Sequence, residues 1–165
     1  MRTALAIAFS LLLAGCGFQL RGTADLPFAT IYTPPSSSPG IALDVRRNIR
    51  TGTRTELVDD PKKAEAILEF ALETREKVIL SLSATGRVRE YQLRYRVGFR
   101  VTDGKGGEFV PLSTVQLTRD ITYSDSDVLS KEAEEGLLYR DMQTDMVQQI
   151  MRRLSAAQRP KPAAQ

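Results

Sequence analysis

The chain has no histidine, no tryptophan and a single cysteine, Cys16, among its 165 residues. Histidine is the side chain that most often serves as general base and metal ligand, and a thiolate is the strongest common nucleophile. With one cysteine the chain cannot form an internal disulfide. The serines, lysines and carboxylates that remain show no catalytic spacing, so the sequence predicts a protein that is not an enzyme and binds no metal.

Charge is nearly balanced, with 23 basic and 20 acidic residues and a net charge of +3. Removing Arg2 with a cleaved leader would leave +2, which is too weak a balance to favour nucleic acid as a partner. The glycine-rich stretch 103–107 lacks the spacing of a phosphate-binding loop, and no helix is predicted after it. We interpret it as a hairpin turn.

The N-terminus has the pattern of a secretory signal peptide. Arg2 precedes an apolar run from Ala4 to Ala14, which is broken only by Ser10 and is too short to span a membrane as a helix. The exit Leu13-Ala14-Gly15-Cys16 resembles the lipobox of bacterial lipoproteins. The resemblance implies that Cys16 carries a thioether-linked diacylglycerol and an N-acyl chain. An ordinary secretory signal followed by a chance cysteine is the alternative.

The residue after Cys16 is Gly17 rather than the aspartate that retains lipoproteins in the inner membrane. By resemblance to that sorting rule, we expect an anchor in the inner leaflet of the outer membrane and a domain facing the periplasm. We expect a signal peptide at 1–15, one lipid-anchored domain at 16–155 and a disordered tail at 156–165, which is rich in alanine, glutamine, proline and lysine.

Two helices are predicted at opposite ends of the mature domain. The first begins at Ser38-Pro39, buries Ile41, Val45 and Ile49, and ends at Gly52. The second is capped by residues 124–127, a pattern that indicates a cap rather than a metal site, and runs to about residue 154. Its predicted apolar face contains Leu129, Ala133, Leu137, Val147, Ile150, Met151 and Leu154, and it is interrupted by Arg140, which should snorkel or pair.

Alternating apolar residues between the helices predict a β-meander. The first long strand spans 64–82 with its even positions inward, and we expect a bend or bulge near Thr74–Lys77. The next strands cover 91–101, where Tyr91, Tyr95 and Phe99 read as core, and 109–123. Short strands at 28–33 and 53–58 would join them. The fold class is therefore α+β: a two-layer sandwich with two helices on one face of a mostly antiparallel sheet of four to five strands.

Several segments together resemble the LptE family of lipopolysaccharide-assembly lipoproteins. They are Cys16–Gly22, Arg89–Tyr95, Val128–Glu135 and Ile150–Leu154, in the family's order and behind a lipobox. The resemblance implies a non-enzymatic protein that plugs and helps assemble the LptD β-barrel in a one-to-one complex. It also implies binding of lipopolysaccharide on its way to the outer leaflet. An adaptor lipoprotein of another outer-membrane complex is the alternative.

Basic residues are the candidates for lipopolysaccharide contact, since that lipid carries phosphates and acidic sugars. Lys131 matches a basic position of the family, whereas the family's second one falls at Ala84 here. Arg87 and Arg89, beside the same turn, are candidates to compensate. Arg94, Arg96 and Arg100 line the polar face of the next strand, where a solvated sheet face or a barrel contact is the alternative. Lys131 could instead pair with Glu134 or Glu135.

The lipobox generates one direct prediction. Replacing Cys16 by serine in the full-length chain should release the domain into the soluble periplasmic fraction, because acylation anchors through its buried methylenes. Fractionation of cells expressing either form, with Ser10→Ala as a matched control in the signal peptide, checks this. A Cys16→Ser protein that stays with membranes would mean that a partner holds it there.

Overall fold

The computed structural model describes residues 25–35, 40–124 and 127–158. In chain order the elements are β1 (Thr30–Tyr32), α1 (Ile41–Gly52), β2 (Glu56–Leu57), a 3-10 turn (Pro61–Lys63), β3 (Ala66–Leu82), β4 (Val88–Thr102), β5 (Glu108–Thr122) and α2 (Val128–Ser155). The predicted signal peptide, the lipobox, the helix start at 38–39 and most of the predicted tail lie outside the described residues.

Within the described residues the sheet has five strands in the order β2-β1-β3-β4-β5. The long strands β3, β4 and β5 are antiparallel, while β1 runs parallel to both β2 and β3. Alternate residues of β4, from Leu93 to Val101, are buried against apolar side chains of α1 and the second half of α2. This confirms the predicted α+β class with two helices on a mostly antiparallel sheet.

Strand β3 changes phase where its pairing with β4 shifts between Phe70 and Leu72. Ala71 is the extra residue, and it lies next to Gly98 of β4, where a Cβ atom would stand 3.3 Å from that of Leu72. An extra residue of this kind is a β-bulge, and it exchanges the two faces of the strand beyond it. The predicted bulge near Thr74–Lys77 is therefore wrong in position, because those residues pair with β4 in regular register.

The exchange overturns the prediction that the even positions of β3 face inward throughout. Beyond the bulge Arg75 lies opposite Tyr95 and Lys77 opposite Leu93, both of which are fully buried on the helix side. Residues directly opposite in an antiparallel pair share a face. The two cations therefore point toward the helices, and Leu72, which was expected in the core, is 43% exposed.

Helix α2 divides into two halves of different character. Its buried residues are all in the second half: Met142, Met146, Val147, Ile150, Met151 and Leu154. The predicted stripe is confirmed there and is wrong earlier, since Leu129 is 82% and Leu137 54% exposed. The first half presents Glu135 and Tyr139 to the sheet instead. Arg140 is on the exposed side, where its Nε donates to the carbonyl of Gly136 at 3.3 Å rather than to a carboxylate.

The ends of α1 are set by short-range contacts. Glu73 of β3 accepts from the backbone N–H of Ile41, which is one of the unpaired donors of the first turn. Gly52, predicted as the C-cap, is instead the last helical residue, and Thr53 follows in extended conformation with its hydroxyl donating to Ile49. That hydroxyl satisfies a terminal carbonyl, so no left-handed glycine is needed.

Substitutions at two glycines, one at the bulge and one in α2, should change the free energy of unfolding in opposite directions. Gly98→Val should lower the free energy of unfolding by about 1–3 kcal/mol, because the new side chain collides with Leu72. Gly136→Ala in α2 meets nothing within 4 Å and should raise it by up to about 1 kcal/mol through helix propensity. Urea unfolding of both variants checks this. A neutral Gly98→Val would contradict the close approach at the bulge.

Candidate functional site

The β3–β4 hairpin ends in a tight turn that carries two of the predicted cations. The backbone N–H of Ser83 donates to Arg87 at 2.7 Å, and Gly86 takes a φ of 79°, which favours glycine. Arg87 and Arg89 follow directly on the return strand, and both are exposed. We call this end of the molecule, residues 79–91, the hairpin tip.

Lys131 reaches the same end from the first turn of α2. Its Nζ donates to the hydroxyl of Thr122 at 3.1 Å, and Thr122 lies opposite Glu90 in the β4–β5 ladder. The next residue of the chain, Tyr123, donates its backbone N–H to the carbonyl of Arg89 at 2.8 Å. The fold therefore places Arg87, Arg89 and Lys131 at the same end of the sheet, and we call these three residues the tip cations.

The tip cations differ in how their charges are satisfied. Lys131 forms an ion pair with Glu134 at 2.9 Å, which the sequence analysis gave as the alternative to ligand binding. The side chain of Lys131 is 21% exposed. Arg89 makes no side-chain ion pair with any residue that the structure describes. Exposed pairs contribute about 0–1 kcal/mol, so a stronger anion can displace Glu134 from Lys131 at small cost.

Arg94, Arg96 and Arg100 lie on the face of the sheet opposite the helices, and each forms an ion pair or a hydrogen bond with a neighbouring side chain. Arg100 pairs with Glu69 across the strands at 2.6 Å, and Arg96 pairs in the same way with Glu76. Arg94 donates its Nε to Gln92 at 2.9 Å. This arrangement is the one expected of a solvated sheet face, the alternative reading of these residues. Arg94 and Arg96 lie along β4, on a different part of the molecule from Lys131.

The sequence analysis missed two cation–aromatic stacks between the sheet and α2. Lys77 lies 4.4 Å from the ring centroid of Tyr91 and 5.8 Å from that of Tyr123, and it donates to Glu135 at 2.7 Å. The two tyrosine rings meet edge to face with centroids 5.3 Å apart. A cleft of about 410 Å³ opens beside Lys77, lined by Glu132, Glu135, Gly136 and Tyr139.

The second stack is one step nearer the core. Arg75 lies over the ring of Tyr95 at 4.9 Å and that of Tyr139 at 5.5 Å, and it donates to Gln143 of α2. Gln143 in turn donates to Asp44 of α1, so one polar chain links the sheet to both helices.

The sequence signal that could have predicted these stacks is the isolated glycine at position 98, because glycine inside a strand often marks a bulge.

The electrostatics keep these stacks in one protonation state. The hydrogen bond to Glu135 raises the pKa of Lys77 above its ordinary value, so the ammonium stays charged over the tyrosine rings. Burial, followed by the hydrogen bond to Glu73, raises the pKa of Tyr95, and burial also raises the pKa of Tyr139. Both phenols remain protonated, and the Tyr139 hydroxyl donates to the backbone carbonyl of Glu76 at 2.9 Å.

Across residues 25–35, 40–124 and 127–158, the side chains form no group of three or more potential metal ligands. In the same part of the chain, no helix has both the length and the apolar character required to cross a membrane.

The fold and the sequence both match bacterial lipoproteins. A solved lipoprotein B from Nitrosomonas europaea is 45% identical with a TM-score of 0.73, covering 85% of this chain and 91% of its own. The rare lipoprotein B from Shewanella oneidensis is 25% identical with a TM-score of 0.67, covering 77% and 94%.

Residues 28–154 match the LptE family, which is described as lipopolysaccharide-assembly. Proteins named LPS-assembly lipoprotein LptE in Yersinia enterocolitica and Pectobacterium atrosepticum are each 30% identical. Each alignment covers 87% of this chain, and 70% and 79% of the two relatives respectively. The chain belongs to the LptE family of lipopolysaccharide-assembly lipoproteins, which is not a known enzyme family, and this confirms the family identified from the sequence.

Proposed function

We propose that this protein is a non-enzymatic outer-membrane lipoprotein that plugs and helps assemble the LptD β-barrel in a one-to-one complex. Within that complex it binds lipopolysaccharide during export to the outer leaflet. The anchor is the lipid on Cys16, and the domain occupies the periplasmic side and the lumen of the barrel. The observation that carries the proposal is the convergence of Arg87, Arg89 and Lys131 at one tip in a member of this family.

The chemistry of the tip cations suits an anionic glycolipid. An arginine guanidinium presents a planar fork that can hold two phosphate oxygens at once, while lysine acts as a point charge. Arg89 is exposed and Lys131 is held only by an exposed carboxylate and a hydroxyl. Both side chains are therefore able to bind a phosphate. Arg94 and Arg96 stay secondary candidates, since at least Arg96 would first have to leave Glu76.

The shape of the sheet supports a position inside a barrel. Strand β3 has 17 residues, so at about 3.3 Å per residue it extends roughly 55 Å, longer than the roughly 30 Å hydrocarbon core of a bilayer. Cys16 precedes β1 in the chain, and β1 pairs with the first residues of β3. The tip cations lie at the far end, so a domain that enters a barrel tip first carries them toward the outer leaflet.

Charge reversal at the tip is expected to weaken lipopolysaccharide binding without unfolding the protein. Arg87→Glu with Arg89→Glu should reduce affinity at low salt by about tenfold or more, because two attractive contacts become repulsive. Arg50→Glu with Arg54→Glu, two exposed positions remote from the tip, is the matched control. Titration with lipopolysaccharide, with circular dichroism on each variant, checks this. Unchanged affinity would remove these residues from the site.

The partner is tested by purifying the full-length lipoprotein from its native membrane. A single large β-barrel at one-to-one stoichiometry is expected, and depletion of the lipoprotein should leave that barrel misassembled. Normal barrel levels after depletion would contradict the assembly role. Recovery of several lipoproteins without a dominant barrel, together with a loss of many outer-membrane proteins on depletion, would instead favour an adaptor of a general assembly complex.

A further inference from the structure

Three large apolar side chains are exposed at the end of β3 nearest the turn. Ile79 is 57%, Leu80 47% and Leu82 55% exposed. Single exposed apolar residues are ordinary on protein surfaces, but neighbouring ones that form a patch mark a contact site. All three residues lie within the hairpin tip, and we call them the tip apolars.

The local backbone keeps the tip apolars at the surface. The pairing of β3 with β4 shifts between Ile79 and Ser81 and again between Ser81 and Leu82, so alternation cannot bury them on one face. Within β3, the residues that pair with β1 are Ala66 and Ile67, at the other end of the strand. Among the described residues no strand pairs with β3 on that side at the tip, and the buried residues of α2 all lie in its second half. None of the elements that the structure describes covers the tip apolars.

Two of the tip cations, Arg87 and Arg89, lie beside the tip apolars. Leu82 lies opposite Val88 in the ladder, and Val88 stands between Arg87 and Arg89 in the chain. Ile79 lies opposite Tyr91, whose ring is covered by Lys77. Apolar side chains and exposed guanidinium groups within one turn complement a molecule that joins anionic groups to hydrocarbon. That charge complementarity favours an acylated phosphate-bearing lipid over a purely apolar protein surface.

We propose that Ile79, Leu80 and Leu82 contact the acyl chains of lipopolysaccharide while Arg87 and Arg89 hold its phosphates. The inference rests on the proposed function and adds a second, apolar half to the binding site. It implies that the tip recognises the lipid part of the ligand in addition to its charge. Apolar contact area contributes to affinity in proportion to the surface removed from water.

The test compares acylated with deacylated ligand. The protein is the mature chain 16–165 carrying Cys16→Ser, which alters none of the described residues. It is titrated with lipopolysaccharide and with the same material stripped of its fatty acids by alkali. Leu80→Ser with Leu82→Ser should bind acylated lipopolysaccharide about tenfold more weakly, as expected when two apolar contacts are lost, and should bind deacylated material within about twofold of the parent.

Two controls separate this inference from the proposed function. Leu112→Ser removes a leucine that is 65% exposed on β5, away from the tip, and should change neither affinity. Arg87→Glu with Arg89→Glu should weaken binding of both ligands. A parent protein that binds neither ligand would overturn the lipopolysaccharide-binding function itself. The acyl-chain contact alone would be overturned if the parent binds both ligands and the leucine variant keeps its affinity for both. The same holds if the leucine variant loses affinity equally for both ligands.

A second measurement covers the possibility that the double variant is destabilised. The Cys16→Ser chain has no cysteine, so Leu82→Cys gives one attachment point for an environment-sensitive dye. Acylated lipopolysaccharide should shift the dye emission to the blue and deacylated material should not. No shift with acylated lipid would overturn the proposal. The leucine variant could also bind lipid normally but no longer co-purify with the barrel. That result would overturn the proposal and mean that the tip apolars contact the barrel.

Discussion

The close approach of β3 to Gly98 at the Ala71 bulge decides how the two layers of this protein meet. Before the bulge, β3 buries Ala66 and Leu68 against the helices, as its alternation predicts. Beyond it the faces exchange, and the helices meet Arg75 and Lys77 instead. One inserted residue thereby divides a single sheet into an apolar base and a distal part that is held by cations, tyrosines and carboxylates.

This division explains why the functional candidates are gathered at one end. At the base, the second half of α2 and all of α1 bury a continuous core, which supplies the stability of the domain. At the distal part, α2 is connected to the sheet by Glu135, Tyr139 and Lys131, and its own leucines remain exposed. The protein can therefore present a surface of exposed cations and apolar side chains at the tip without weakening the core that holds it.

The sequence predicted the elements, the fold class and the family, because these depend on periodicity and on motifs in order. It placed Arg87 and Arg89 at a turn correctly, since the glycine at position 86 marks that turn. It did not place the bulge, because the residues around Ala71 continue an apolar alternation whichever face they occupy, and the glycine at position 98 was the one signal that marked it. The exposed leucines of α2 and the stacking of Lys77 on tyrosine follow from that one shift, so they were missed together.

The central claim is that the tip, and not the opposite end of the sheet, contacts lipopolysaccharide. A photoreactive amino acid placed at Arg89 in the full-length lipoprotein, and separately at Glu108 beside the β4–β5 turn, tests it in living cells. We expect an adduct with lipopolysaccharide at position 89 and none at position 108. An adduct at position 108 alone, or equal adducts at both, would contradict it.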